Sequence, residues 1–224
     1  MDGDLPESFA ALPTKPDGRR ARAERTRAGI VESAVALFAE TGYTATSISA
    51  IAARAGVSEQ TIYYSFGTKR EILAKALDAA AAGDDAHIRI IDRAWVRHAT
   101  SAEHAAEQIR RQVAGAAEIL SRTAGILDVV RGAMNTEPEI AVLWNENLAQ
   151  RRLTQLVFAR ALAARGALAP GLTASRAADL SLAATSPESY LLLTRDRGFS
   201  ARDWEHWTTR MLVGTLLDGA EASG

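Results

Sequence analysis

The sequence predicts an all-α fold, and three observations support this class. Apolar residues recur every three or four positions through most of the 224 residues, the spacing of one face of an α-helix. No stretch alternates apolar and polar residues with β-branched side chains, as a half-buried strand would. Helix-breaking residues separate the apolar segments, at Gly166 with Pro170-Gly171, at Ser186-Pro187 and at Gly198.

The elements follow in order from the N-terminus. Residues 1–18 are polar, proline-bearing and without periodicity, so we expect a disordered tail there. Residues 19–27 form a basic arm that merges into a first helix, which buries Ile30 and Phe38 and stops at Gly42. After two short helices, described next, further helices are predicted at residues 69–82, 86–98, 101–121, 123–134, 138–165, 173–185, 187–196 and 200–218.

Residues 44–70 describe two short helices joined by a tight turn. Ser47 is suited to cap the first helix, because its hydroxyl can accept from a free amide of the first turn. Gly56 can take the left-handed conformation that ends this helix. Ser58 can cap the second helix, in which Ile62 and Phe66 point inward. The pattern is that of a helix-turn-helix, whose second helix normally lies in the DNA major groove.

The outward face of the second helix is unusual for a simple solvated surface. Two adjacent aromatic residues, Tyr63 and Tyr64, cannot both be buried on so short a helix. Phenolic hydroxyls can donate to phosphate oxygens, while Gln60 and Thr61 can reach base edges. The alternative, an ordinary solvated helix face, is disfavoured by the surrounding sequence.

The surrounding sequence resembles the DNA-binding domain of the TetR/AcrR transcriptional regulators over residues 24–80. The resemblance rests on six blocks in the right order. They are the basic approach RRARAERTRAGI, the apolar first helix ending in Phe38, the exit Thr41-Gly42-Tyr43-Thr44, the turn Ala55-Gly56-Val57-Ser58, the run Thr61-Ile62-Tyr63-Tyr64-x-Phe66, and Lys69. Ser65 and Ala50 depart from the residues common in the family, which bears on operator preference and not on the fold.

The resemblance implies a set of DNA-binding residues. Tyr64 and Lys69 would touch the phosphates, and Ser47 and Ser49 would lie near the DNA backbone or groove. The arm arginines would add affinity, although solubilising surface charge is the alternative for them. The predicted set is Arg22, Arg25, Arg27, Ser47, Ser49, Ser58, Gln60, Thr61, Tyr63, Tyr64 and Lys69.

The resemblance also implies a division of the chain. Residues 19–70 would form the helix-turn-helix domain with its basic arm, and residues 71–224 a helical bundle for ligand binding and dimerisation. A hollow bundle would hold a small organic ligand among bulky side chains and a few polar groups. The candidates, for each of which plain core packing is the alternative, are Trp95, His98, Met134, Trp144, Asn147, Phe158 and Tyr190.

The last long helices are predicted to form a homodimer. Small residues on one helix and large ones on its neighbour favour close packing across a two-fold axis. One short recognition helix specifies too little DNA, whereas two would occupy successive major grooves about 34–36 Å apart on a near-palindromic operator. The predicted interface, with intrachain core as the alternative, is Ala177, Leu180, Ala184, Trp204, Trp207 and Met211.

The charge distribution agrees with a DNA-binding N-terminal region. The net charge is −1 overall, but residues 15–77 hold ten Lys and Arg against six acidic residues, a net +4. The chain has no cysteine, which excludes disulfides and thiolate sites. No signal sequence or apolar run of membrane-spanning length is recognised, so we expect a cytoplasmic location and no membrane association.

No catalytic, metal or cofactor site is predicted. The four histidines do not pair at ligand spacing, and a metal held by His104 with Glu103 or Glu107 is a weaker interpretation than a surface helix. No nucleophile or phosphate-loop motif occurs. The resemblance implies a repressor that a small organic ligand releases from double-stranded DNA. The alternatives are an activator or ligand-independent regulator of the same fold, or a helical-bundle enzyme or scaffold.

Overall fold

The computed structural model describes residues 18–83 and 89–219, and these residues confirm the all-α prediction. A 3₁₀ turn at Ile90–Asp92 precedes α5, and the isolated antiparallel bridge Leu168–Leu217 closes the end of the bundle. In the described part of the chain, no helix is both long and apolar enough to cross a membrane. The helices are α1 (Gly18–Thr41), α2 (Ile48–Ala55), α3 (Glu59–Phe66), α4 (Lys69–Ala82), α5 (Ala94–Thr100), α6 (Ala105–Ala133), α7 (Pro138–Ala164), α8 (Ala174–Ala184), α9 (Pro187–Thr194) and α10 (Ala201–Leu216).

The first four helices are packed against the ends of two later ones. Ile30, Phe38, Ile51, Ile62 and Leu73 are buried together, as the sequence predicts. The same cluster also contains buried side chains from the end of α6 and the start of α7, which are Ile126, Leu127, Val130, Ala133, Ile140, Leu143 and Trp144. We call this cluster the shared core, because it joins the N-terminal helices to the bundle.

Polar contacts reinforce the shared core at its edge. The Tyr43 hydroxyl donates to the Glu139 carboxylate at 3.0 Å, and Arg70 contacts the Glu139 carbonyl and the Glu146 carboxylate. Burial, together with the Glu139 carboxylate, raises the pKa of the Tyr43 hydroxyl. The start of α7 is therefore held on the N-terminal helices by both apolar and polar contacts.

A second core fills the rest of the bundle. It joins α6 and α7 to α8, α9 and α10 through buried side chains that include Ile109, Val113, Leu162 and Leu212. Trp204 is fully buried here, and its ring lies edge-on to that of Tyr190 with centroids 5.2 Å apart. The loop after α7 is tied to the end of α10 by the Ala169 amide, which donates to the Leu216 carbonyl at 2.8 Å.

The structure corrects three helix boundaries. The predicted break near residue 122 does not occur, since α6 is continuous there and the Ser121 and Thr123 hydroxyls donate to carbonyls of the preceding turn. Within the described part of the predicted helix 86–98, the chain forms the 3₁₀ turn and the short α5. The first helix begins at Gly18, so the basic arm at residues 19–27, which was predicted to merge into this helix, is helical throughout.

Other predictions fall on residues that the structure does not describe. The predicted tail 1–18 lies outside the described residues except for Gly18, with which α1 begins. Residues 84–88 between α4 and the 3₁₀ turn, His87 among them, also lie outside.

Trp144→Ala should strongly destabilise the protein, because it removes a large buried side chain from the shared core. Truncation of a buried Trp typically costs about 3–5 kcal/mol. Val142→Ala, two residues away on α7 at a side chain that is 52% exposed, should change stability by less than about 0.5 kcal/mol. Urea unfolding at one fixed protein concentration measures both. Equal unfolding midpoints for the two variants would contradict the described packing.

Candidate nucleic-acid interface and interior cavity

The turn between α2 and α3 is fixed by local caps. The Ser47 hydroxyl accepts from the Ala50 amide at 3.1 Å, and the Ser58 hydroxyl accepts from the Thr61 amide at 3.1 Å. Gly56 has φ +66°, the left-handed conformation that glycine adopts without steric cost. The Val57 amide then donates to the Ala52 carbonyl, which completes a Schellman ending for α2. These contacts set the relative orientation of the two helices.

Helix α3 presents polar and aromatic side chains to solvent. Ile62 is fully buried and anchors the helix, whereas Tyr63 is 53% exposed and Tyr64 is 92% exposed. Glu59 and Gln60, one turn earlier, are also exposed. In the free chain this face contains hydrogen-bonding groups that are open to a partner.

Several hydroxyls of the predicted DNA-binding set have a structural role. Ser58 contacts the Thr61 hydroxyl at 2.8 Å in addition to capping α3, and Ser47 contacts the Ser49 hydroxyl at 2.8 Å in addition to capping α2. All four remain near the protein surface. Contacts to DNA from these groups would have to coexist with their capping bonds.

Lys69 is bound to the protein itself. Its ammonium group donates to the carbonyls of Tyr43 and Thr46 at 2.8 and 2.9 Å and lies 4.1 Å from the centroid of the Tyr43 ring. Burial lowers the pKa of this ammonium, although Glu137 and Glu139 oppose the shift. The phosphate contact of Lys69 stays a prediction. In the free chain Lys69 fastens the loop between α1 and α2 to the start of α4.

The arm arginines divide by environment. Arg22 and Arg25 are exposed along α1. Arg27 is also exposed, but it donates to the Ser65 carbonyl at 3.2 Å and so supports the last turn of α3. Arg25 and Arg27 border the cleft that separates α1 from the bundle.

An open cavity of about 1700 Å³ extends between α1, α4, α5, α6 and α7. This volume exceeds the roughly 300–1,000 Å³ typical of small-molecule sites, so a ligand would fill only part of it. Three of the predicted ligand residues line it, namely Trp95, Asn147 and Phe158. The rings of Trp95 and Phe158 are in contact, with centroids 5.7 Å apart.

The other four predicted ligand residues lie elsewhere. Trp144 is buried in the shared core and Met134 packs against that core. Tyr190 is buried against Trp204 in the second core. His98 is an exposed residue of α5 and does not line the cavity. Trp144, Met134 and Tyr190 therefore pack among apolar neighbours, as the alternative of plain core packing predicts for them.

The sequence analysis missed the polar lining of the cavity. Gln112 donates to Gln155 at 2.6 Å, Gln155 donates to the Thr185 hydroxyl at 3.2 Å, and Arg151 donates to the Thr185 carbonyl at 3.3 Å. These residues and Thr154 line the same wall. The signal available in the sequence was a set of polar residues on otherwise apolar faces of α6 and α7. These faces can be assigned to the cavity only when the orientation of the two helices is known.

The predicted dimer residues fall into two groups. Ala177, Ala184 and Trp204 are buried within the chain, as the intrachain alternative proposes. Leu180 and Trp207 are 37% and 43% exposed, and Met211 is half-buried. Leu192 and Phe199, which the sequence analysis did not select, are further exposed apolar side chains in this part of the chain.

Lys69→Met should lower the stability of the free protein, because it removes the ammonium donor of the Thr46 carbonyl and leaves the Tyr43 carbonyl with the Thr46 amide alone. A buried polar group that loses its partner costs about 1–3 kcal/mol. Lys75→Met, at an exposed lysine of the same helix, is the matched control and should unfold like the wild type. Urea unfolding without DNA measures the effect. A Lys69→Met protein of wild-type stability would contradict the structural role described above.

Comparison with known proteins identifies the N-terminal region. Residues 30–76 match the model of the family described as bacterial regulatory proteins, tetR family. An HTH-type transcriptional repressor of Mycobacterium tuberculosis is 38% identical over 89 residues, which cover 37% of this chain and 45% of that protein. An HTH-type transcriptional regulator of Mycobacterium bovis matches to the same extent. The match thus spans less than half the length of these curated relatives.

Solved structures share the whole fold. The SmeT-triclosan complex has a TM-score of 0.67 at 16% identity, over 87% of this chain and 93% of that chain. A transcriptional regulator from Saccharomonospora viridis in complex with choline has a TM-score of 0.65 at 22% identity, over 87% of this chain and 99% of that chain. Identities this low support the fold alone. The match to the tetR family of bacterial regulatory proteins thus covers residues 30–76, and the solved structures show that the fold is shared over most of the chain.

Proposed function

We propose that the chain regulates transcription by binding double-stranded DNA with α3 in the major groove. The observation that carries the proposal is the exposed face of α3, where Tyr63 and Tyr64 project from a helix anchored by the buried Ile62. Phenol groups can bind phosphates, and Gln60 beside them can bond to base edges. The relatives are named transcriptional regulators, which supports a regulatory role over an enzymatic one.

A homodimer would give the two recognition helices that a near-palindromic operator requires. Leu180, on α8, and Trp207, on α10, are the exposed apolar side chains from which the proposal starts. Phe199, just before α10, extends the apolar surface that a second copy would cover. Residues 19–70 remain the proposed DNA-binding domain and residues 71–224 the proposed ligand-binding and dimerisation domain.

We propose repression, relieved by a small molecule in the cavity, as the mode of regulation. Helix α4 begins directly after α3 and contributes Leu77, Asp78 and Ala81 to the cavity wall. Its end is fastened to α6, since Arg122 donates to the Ala80 carbonyl at 2.9 Å. A ligand that fits only when α4 has moved would weaken DNA binding by the factor by which DNA weakens ligand binding. One relative is named a transcriptional repressor, which favours repression over activation.

Tyr64→Ala should weaken binding to all DNA sequences, since it removes a proposed phosphate contact. Loss of such a contact should also reduce the slope of log affinity against log salt by about one. Gln60→Ala should instead alter base preference at one or two operator positions. Fluorescence anisotropy with DNA from the region upstream of the gene, chosen by footprinting, measures both. Arg152→Gln, far from α3 in sequence, serves as the control. Wild-type affinity and salt slope in Tyr64→Ala would contradict this placement of α3.

Trp207→Asp should give monomers with little operator binding, although α3 is unchanged. A charge without a partner in a dry interface costs several kcal/mol. Val142→Asp places the same charge at an exposed apolar position of α7 and should leave the dimer intact. Sedimentation velocity checks both. A Trp207→Asp protein that sediments as the wild-type dimer would remove α10 from the proposed interface.

A further inference from the structure

The polar cavity wall forms one connected set whose hydrogen-bond directions are fixed. Thr185 donates its hydroxyl proton to the Ser181 carbonyl at 2.7 Å, and a carbonyl can only accept. The Thr185 oxygen must therefore accept from the Gln155 amide nitrogen, which orients Gln155. The Gln155 oxygen then accepts from the Gln112 nitrogen at 2.6 Å. As a result, the Gln112 oxygen is left as a free acceptor.

Two buried acceptors on this wall have no hydrogen-bond donor among the described residues. They are the Gln112 side-chain oxygen and the Asn147 side-chain oxygen. Both residues line the cavity. Since a buried polar atom without a partner is costly, its presence at a cavity points to a donor supplied by a ligand.

Arg151 adds a positive charge to the same wall. Residues 147, 151 and 155 are spaced four apart on α7, so their side chains share one face of the helix. The Arg151 guanidinium donates to the Thr185 carbonyl, and burial alone lowers its pKa to about 10, so it stays protonated at pH 7. No acidic side chain of the described residues forms an ion pair with it. The neighbouring Arg152, in contrast, pairs with Asp179 at 2.7 Å.

The acidic residues of the cavity lie on helices other than α7. Glu24 and Glu32 come from α1, and Glu71 and Asp78 come from α4. Burial raises the pKa of the Asp78 carboxyl. The nearby charge of Lys75 lowers this pKa, and that of Glu71 raises it. The α7 side of the cavity therefore has a positive charge of its own.

Apolar side chains lie beside this polar group. Trp95 and Phe158 make contact with each other, and Leu120 and Leu127 of α6 continue the lining. Trp95 packs closely against Gly115, where an added Cβ would overlap with the ring. The Trp95 indole can take this position because residue 115, on the facing helix α6, has no side chain.

We propose that the α7 side of the cavity binds an organic acid that carries a hydroxyl group and an apolar chain. The carboxylate would pair with Arg151, and the hydroxyl would donate to the Gln112 or Asn147 oxygen. The apolar chain would lie against Trp95 and Phe158. This inference rests on the proposed ligand-responsive function and names the chemical class of its ligand. A cationic ligand is disfavoured, because Arg151 would repel it.

Four ten-carbon probes test the class by calorimetry on the full-length protein, each kept below its micelle concentration. They are 3-hydroxydecanoate, decanoate, 1-decanol and decyltrimethylammonium. We expect the hydroxy acid to bind most tightly, then the acid, then the alcohol, with the cation weakest. Arg151→Gln should weaken binding of both acids on the order of tenfold or more and leave the alcohol unchanged.

Three further variants separate the effect of the Arg151 charge on binding from an effect of the substitution on folding. Arg152→Gln is the matched control and should bind all probes like the wild type. Arg151→Lys keeps the positive charge and should keep the preference for acids, even if Arg151→Gln proves unstable in a thermal melt. Asn147→Ala should reduce the advantage of the hydroxy acid over decanoate. Equal binding of all four probes, binding of none, or acid binding that survives Arg151→Gln would overturn the proposal.

Measurement of DNA binding in the absence of any probe tests the proposed regulatory function independently of the proposed ligand class. If the protein binds the acids but no DNA, the ligand class stands and the regulatory function fails. If it binds DNA but shows no preference for acids, the function stands and the ligand class fails.

Discussion

The shared core is the constraint on which the rest of the structure depends. Side chains from α1 to α4 are buried together with Leu127 and Val130 of α6 and with Ile140 and Trp144 of α7. The orientation of α3 relative to the bundle is therefore fixed by packing and not by a linker. A change in the cavity can reach α3 through these apolar contacts, because close-packed interiors transmit displacement with little compression. It can also act on α3 directly, since Ser65 and Phe66 line the cavity.

The cavity and the shared core meet along the same helices. Leu77 and Leu127 belong to the shared core and also line the cavity. A ligand would thus touch side chains that hold the N-terminal helices in place. The polar contacts of Tyr43, Arg70 and Glu139 lie at the edge of this core. Of these three residues, Tyr43 is buried, Arg70 is half-buried and Glu139 is exposed.

The sequence predicted the elements that are governed by local rules. Caps at Ser47 and Ser58, the left-handed Gly56 and the buried Ile62 follow from residue type and spacing alone, and the structure confirms them. The cavity lining could not be predicted in this way. Trp144 and Asn147 are three residues apart on α7, yet one is buried in the shared core and the other faces the cavity. Only the rotation of α7 about its axis decides between them, and that rotation is set by contacts distant in sequence.

Helix α3 obtains its ends and its anchor from residues that do not face outward. Ser58 caps its start, the Gly67 amide donates to the Tyr63 carbonyl at its end, and Ile62 fixes it to the core. The side chains of Glu59, Gln60, Tyr63 and Tyr64 contribute little to this arrangement. Positions 59, 60, 63 and 64 can therefore diverge between related genes with little loss of fold stability. Recognition in this scaffold is free to evolve separately from folding, so two copies of such a gene could acquire different targets through a few substitutions on one helix turn.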